Sequence, residues 1–204
     1  MDTALFLRGL VLGFTIAAAV GPISLLVIRR TLAEGRLVGL VSGMGVATAD
    51  ATYGAIAAFG LTAVTDLLVD WRRALGIIGG VFLLWLAWRT FTAVPGEAAV
   101  DSERRRGLPG AYLSTLGLTL TNPMTILSFA ALFVGLGVTG GDAAGATLLT
   151  LGVFAGSALW WVVLTTVVAA FRSRLTTTGM RRVNVASGLL IGAFAIVAIV
   201  SSLA

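Results

Sequence analysis

The sequence predicts an all-α, polytopic membrane protein whose six transmembrane helices form two inverted three-helix repeats. Composition is the first observation behind this expectation. Of 204 residues, 58% are hydrophobic and 11% charged, with a mean hydropathy of +1.02, unlike a soluble domain of this size. The second is segregation of the charges, which leaves uncharged runs at 9–28, 37–49, 51–65, 74–88, 107–141, 143–171 and 183–204. About 20 apolar residues cross a bilayer as a helix. Six spans result when the two runs that only Asp50 separates are joined and Arg89 snorkels past the end of the third. The third observation is a pair of prolines in similar halves: Gly21-Pro22, and Asn122-Pro123 placed 101 residues later in a chain of half-length 102.

Helix 1 is expected at 5–28 with a break at Pro22. Proline lacks an N–H and its ring clashes with the carbonyl four residues back, so it ends one helical segment and suits the first turn of the next. Gly21 is expected to supply a permissive backbone for that break. A tight cytoplasmic turn then occupies Arg29 to Arg36, and helix 2 runs from 37 to 61. Gly39, Gly43, Gly45, Ala47 and Ala49 along helix 2 allow another helix to approach closely. After an outer loop with Trp71 as interfacial anchor, helix 3 covers 74–94. Pro, Gly, three acids and Arg104-Arg105-Arg106 mark 95–107 as an exposed cytoplasmic linker. It separates a first repeat at 1–94 from a second at 108–204.

The second half repeats the plan with helices at 109–137, 144–171 and 183–203. Pro123 is expected to break the first of these, with Asn122 as N-cap. Setting Gly45-Val46 on Gly152-Val153 places Asp50 opposite Ser157 and Tyr53 opposite Trp160. Three helices per repeat is an odd number, so successive copies enter the membrane from opposite sides. Eight Gly-x-x-x-Gly spacings also occur, among them Gly9/Gly13, Gly152/Gly156 and Gly188/Gly192. With 26 Gly, chance supplies about three such pairs. They therefore support a tight bundle without identifying a dimer face, and a homodimer stays open.

A pI of about 11.2 and a net charge of +5 raise the question of nucleic acid, and position answers against it. All fourteen basic residues are Arg, lying in expected loops and helix ends, where they orient membrane proteins. Eleven fall on one side of the six-helix plan and three, Arg8, Arg72 and Arg73, on the other. That bias places both termini outside and the Arg-rich loops in the cytoplasm. A cleaved signal peptide ending near Ala17-Ala18-Ala19 is disfavoured, since Asp2 and one Arg8 make a poor basic start. Absence of Cys and His removes disulfides, thiol chemistry, His-based triads and the usual ligands of soft metals. No cofactor and no metal site is expected.

Asp50 is the one acid well inside an apolar span, with thirteen uncharged residues before it and fifteen after. An Asp at a helix centre costs roughly 2.5–3.5 kcal/mol to insert and ordinarily faces a cavity or partner. With every Arg expected at a loop or helix end, Asp50 must carry a proton or meet a mobile cation: a proton, a metal ion or a substrate amine. The blander reading is a neutral Asp50 bonded to Thr48, Thr52, Tyr53 or a backbone carbonyl. The proline breaks, Gly21-Pro22 and Asn122-Pro123, offer the other half of a site. Unpaired N–H groups and the positive end of a half-helix favour a carboxylate, and freed carbonyls take an ammonium. Tyr53, Ser157, Trp160 and Trp161 are candidate lining residues, although aromatic residues also serve as ordinary packing.

These features together resemble the LysE/RhtB amino-acid exporter family. The resemblance rests on Gly21-Pro22, the segment Arg30-Thr31-Leu32-Ala33-Glu34-Gly35-Arg36-Leu37-Val38-Gly39-Leu40, Asp50, and Asn122-Pro123. Length, helix plan and central linker agree, so it covers essentially the whole chain. Two positions depart from the family's pattern: Ala49 where many members have Gly, and Met124 where many have Lys. The resemblance implies efflux of amino acids or related metabolites across a bacterial inner membrane, driven by the proton-motive force. The expected partners are thus an amino acid, a proton and the lipid bilayer. Alternatives are a divalent-cation exporter of the same superfamily, a membrane assembly subunit, and a membrane enzyme, for which a lone Asp50 lacks a second carboxylate.

Overall fold

The structure, a computed structural model, describes residues 2–19, 21–59, 71–92, 107–122, 125–126, 128–129, 142–172 and 176–203. Among them are seven helices and no strand: α1 (Asp2–Ala18), α2 (Pro22–Glu34), α3 (Arg36–Ala58), α4 (Arg72–Thr92), α5 (Gly107–Leu120), α6 (Ala143–Arg172) and α7 (Thr177–Leu203). Pro123 lies outside the described residues, as does the expected linker except for Gly107, which opens α5. Threonines within the helices turn their hydroxyls back to the carbonyl four residues earlier. Examples are Thr31 to Val27, Thr48 to Met44, Thr119 to Thr115 and Thr165 to Trp161, at 2.7–2.9 Å. Polar side chains are thereby satisfied without leaving their own helix.

The first proline break is present. Segments Thr3–Ala18 and Pro22–Glu34 meet at a bend of 78°, with Pro22 in the first turn of α2, where its missing N–H is no loss. The role expected of Gly21 is corrected: at φ −140°, ψ −174° its backbone is extended, a conformation open to any residue. The left-handed requirement falls on Gly35, with φ 111°, between α2 and α3. The tight turn expected from Arg29 to Arg36 is therefore only Gly35, and α2 stays helical through Glu34. Helix 4 is also interrupted where expected. After α5 ends at Leu120, the Asn122 carbonyl accepts from the N–H groups of Thr125 and Ile126 at 3.1 and 3.2 Å, as an N-cap carbonyl does.

Helix α3 sits in the middle, packed against α1, α2, α5 and α6. Glycines set the closest approaches. A Cβ on Gly152 of α6 would strike the Phe6 carbonyl and the Leu10 N–H of α1, and one on Gly45 of α3 would strike the Tyr112 carbonyl and Leu116 N–H of α5. The two seams are built alike: 152 is 45 plus 107, while 112 and 116 are 6 and 10 plus 106. The seam between α4 and α7 matches itself. Gly80 faces Ile199 and Phe91 faces Gly188, and adding 108 to 80 and 91 gives 188 and 199.

Among the described residues two helices, Ala143–Phe171 and Thr177–Leu203, are long and apolar enough to cross a membrane, and the bent α1–α2 pair makes a third only when its two segments are taken as one span. The expected count of six is not reached on that measure. The α3 segment is diluted by Gly, Ala, Thr and Asp50 and has protein rather than lipid around it, while α5 stops early at the break. Exposed apolar residues such as Ile78, Val81 and Trp88 on α4, Leu151 and Val167 on α6, and Leu189, Val197 and Val200 on α7 suit contact with lipid.

Candidate functional site

Asp50 is 1% exposed and accepts a hydrogen bond of 2.7 Å from the Ser157 hydroxyl of α6. Among the described residues this is its hydrogen-bond partner, and no arginine joins it. The bland expectation of a bond from Thr48, Thr52 or Tyr53 is not what occurs. Thr48 and Thr52 bond their own helix, and the Tyr53 hydroxyl donates to the Leu120 carbonyl at 2.6 Å. Tyr53 thus ties the turn after Asp50 to the last residue of α5 before the second break. Its ring lies 5.7 Å from that of Phe129.

Helices α3 and α6 cross in opposite directions at this pair. Gly54, four residues after Asp50, faces Val153, four before Ser157, and Gly43, seven before Asp50, faces Trp161, four after Ser157. Two apolar clusters flank the crossing. One holds Val46, Ala47 and Trp161 with Ala17 and Ile23, the residues on either side of the first break. The other holds Tyr53, Leu149 and Val153 with Ile126 and Phe129, just past Asn122, and Leu120 packs on it. The polar pair therefore lies between two dry blocks, each containing one interrupted helix. A Cβ on Gly21 would have nothing within 4 Å, so the chain leaves open space beside the start of α2.

Trp160 stacks edge-on against Phe14 of α1 with ring centroids 5.4 Å apart. The indole N–H groups of Trp160 and Trp161 are buried with no hydrogen-bond acceptor. A buried donor without a partner costs about 1–3 kcal/mol, so two on the turn after Ser157 call for an acceptor. The structure brings Asp50 and Ser157 into contact and sets Tyr53 and Trp160 on the adjoining turns. It puts Gly21-Pro22 at the start of α2 and Asn122 at the restart after α5, while the place of Pro123 is not described.

Arg29 and Arg30, expected in a loop, are buried. Arg30 donates to the Ser42 hydroxyl at 2.9 Å, the Ala111 carbonyl at 3.1 Å and the Ser114 hydroxyl at 2.9 Å, joining α2 to α3 and α5. Arg29 donates to the Asn184 side chain at 3.4 Å. A fixed positive charge is therefore inside the bundle, but its anchor Ser42 is eight residues from Asp50 on α3, about 12 Å along the axis. The signal in the sequence was the unbroken helical run from Pro22 to Glu34, with no Gly or Pro to make the loop that the charges alone implied.

No solved structure matches the chain. It is 31% identical over 109 residues to the uncharacterized membrane protein YahN of Escherichia coli (strain K12), an alignment covering 52% of this chain and 49% of that protein. The match thus spans about half the relative's length. The family described as LysE type translocator matches residues 14–202, a stretch that holds both breaks, Asp50 and Ser157. The chain therefore belongs to the LysE type translocator family, a family of membrane exporters.

Proposed function

We propose that the protein is a secondary active transporter that exports amino acids or related small amine-bearing metabolites by proton antiport across a bacterial inner membrane. Asp50 is the exchanging carboxylate. The observation that carries this reading is a buried Asp at a helix crossing, bonded by one serine hydroxyl and by no arginine among the described residues. A substrate ammonium that replaces the proton on that carboxylate couples the two fluxes without another device, and rocking of the repeats presents it to each side in turn. The substrate carboxylate finds donors in the N–H groups of the first turn of α2 and in the indoles of Trp160 and Trp161. Gly21, Pro22, Asn122, Pro123 and Tyr53 complete the site around the two breaks.

The layout in this reading is six spans in two inverted repeats, 1–94 and 108–204, joined by the cytoplasmic linker 95–107. Support comes from the matching glycine seams at separations of 106 to 108 and from the antiparallel crossing of α3 with α6. One feature weakens the simple repeat. The seams pair Phe6 with Tyr112, a separation of 106, whereas Gly21 and Asn122 are 101 apart, so the second break comes about five residues sooner after its seam.

Purified protein in proteoliposomes tests the proposal by counterflow of radiolabelled amino acids and by transport driven with an imposed proton gradient. The parent is expected to show both. Asp50→Asn is expected to insert normally and lose gradient-driven transport. Full driven transport by that variant ends the coupling idea, and counterflow of divalent cations but no amino acid would move the assignment to a cation exporter.

A further inference from the structure

We infer that Asp50 and Ser157 face each other across a pseudo-two-fold axis, so that the exchanging carboxylate works from α6 as it does from α3. This rests on the exporter reading above and goes on to its geometry. When two helices are related by a two-fold axis perpendicular to both, they run antiparallel, and equivalent residues touch only where the axis passes between them. Asp50 and Ser157 are separated by 107 positions and share a hydrogen bond. The same separation relates Gly45 to Gly152, which make like contacts with α5 and α1. Gly54 and Val153, four residues to either side of the pair, confirm the antiparallel sense. The α4–α7 seam crosses itself in the same way, with Gly80 on Ile199 and Phe91 on Gly188. Three seams made from different residues thus share one operation.

The axis explains why the halves are unequal at this point. A faithful repeat would put two carboxylates within hydrogen-bond reach in a dry interior, where like charges oppose one another. Aspartate on one side and serine on the other keep one acceptor and give it a donor. Reversing them conserves the atoms present and the hydrogen bond, and returns one carboxylate to the same crossing. A residue on the axis is also the one that rocking of two equivalent halves displaces least relative to its counterpart, so a single carboxylate reaches both faces of the membrane.

The test is the exchange Asp50→Ser with Ser157→Asp in the full chain, set beside Asp50→Ser alone. Each variant is assayed in proteoliposomes with a mixture of radiolabelled amino acids, and its fold is checked by monodispersity and thermal unfolding. Asp50→Ser is expected to fall to the protein-free background, and the exchange to recover about a tenth or more of the parent rate, the mark of coupled positions. A folded exchange variant as inactive as Asp50→Ser overturns the inference and leaves the exporter reading standing. Full activity of Asp50→Ser overturns the inference too, because it removes Asp50 as the exchanging carboxylate while amino-acid transport itself stands. If the exchange variant does not reach the membrane, the decision passes to Asp50→Cys with Ser157→Cys in this cysteine-free chain. A short bifunctional thiosulfonate is expected to bridge that pair equally under inward and outward proton gradients, and failure to bridge, or bridging in one gradient only, overturns the inference.

Discussion

Tyr53 does two jobs at once. Its hydroxyl donates to the Leu120 carbonyl at 2.6 Å, at the last residue of α5. Its ring packs beside Phe129 in the block past the second break. Tyr53→Phe keeps the ring and removes the donor from a partly buried bond, a loss of about 0.5–1.5 kcal/mol. A lower unfolding temperature of the purified protein is expected, with a larger fractional loss in driven transport than in counterflow, because the second break would no longer move with the turn that carries Asp50. Unchanged stability and transport would show that the bond is incidental. Ser157 differs in kind. Its hydroxyl is bonded to the carboxylate itself, so Ser157→Ala is expected to depress transport while the helix packing, set by the neighbouring glycines, persists.

At the scale of elements, glycine seams and proline breaks divide the labour. Gly9 and Gly13 of α1 lie on Leu149 and Val153 of α6, and Gly152 and Gly156 of α6 lie on Phe6, Leu10 and Phe14 of α1, so the two backbones are in direct contact. Replacing Gly152 by Leu forces the helices apart at a place where the obstructing atoms are backbone and cannot rotate away. Overpacking of this kind costs typically about 1–3 kcal/mol, and a fall in the monodisperse fraction on size exclusion is expected for Gly152→Leu, with little effect from Gly117→Ala, whose Cβ meets nothing within 4 Å. The first break was legible in the sequence because it rests on a local rule, a proline that cannot continue a helix, whereas the glycine spacings spoke only for a tight bundle and did not say which helices meet. The contact between Asp50 and Ser157 was not legible: aligning Gly45-Val46 on Gly152-Val153 made the two positions equivalent, while the bonds expected for Asp50 were to Thr48, Thr52, Tyr53 or a backbone carbonyl. The end of α2 was not. Arg29, Arg30 and Glu34 look like a solvated turn when charge is the only guide, and it takes Ser42, Ala111 and Ser114, from helices far along the chain, to bury a guanidinium. Gly21 was read correctly in place and wrongly in reason, since its extended backbone tolerates a side chain and what it provides is space.

For the whole molecule, the burial of those two arginines bears on orientation. Topology follows the Lys and Arg of loops and helix ends, and a guanidinium held by hydroxyls and a carbonyl inside the bundle is a weaker anchor than one facing anionic headgroups. Removing Arg29 and Arg30 from the eleven on the Arg-rich side leaves nine against three, so the bias keeps its direction and both termini are still expected outside. That outcome also requires an even number of crossings. Two helices pass as spans by length and apolarity, with the bent α1–α2 pair a third if it counts as one span, and α4 is apolar but short, whereas α3 and the interrupted α5 cross only if the bundle shields what their own side chains do not. The absence of native cysteine permits a direct measurement with Thr3→Cys, Thr177→Cys and Leu203→Cys, all exposed positions at helix ends. In intact cells, a membrane-impermeant maleimide is expected to label the first and third, and to label the second only after permeabilisation. Labelling of Thr177→Cys alone would reverse the orientation and keep the even count. Labelling of only one terminus would require an odd number of crossings, and with it the two-fold relation between the halves, along with a carboxylate shared by both faces of the membrane, would have to be abandoned.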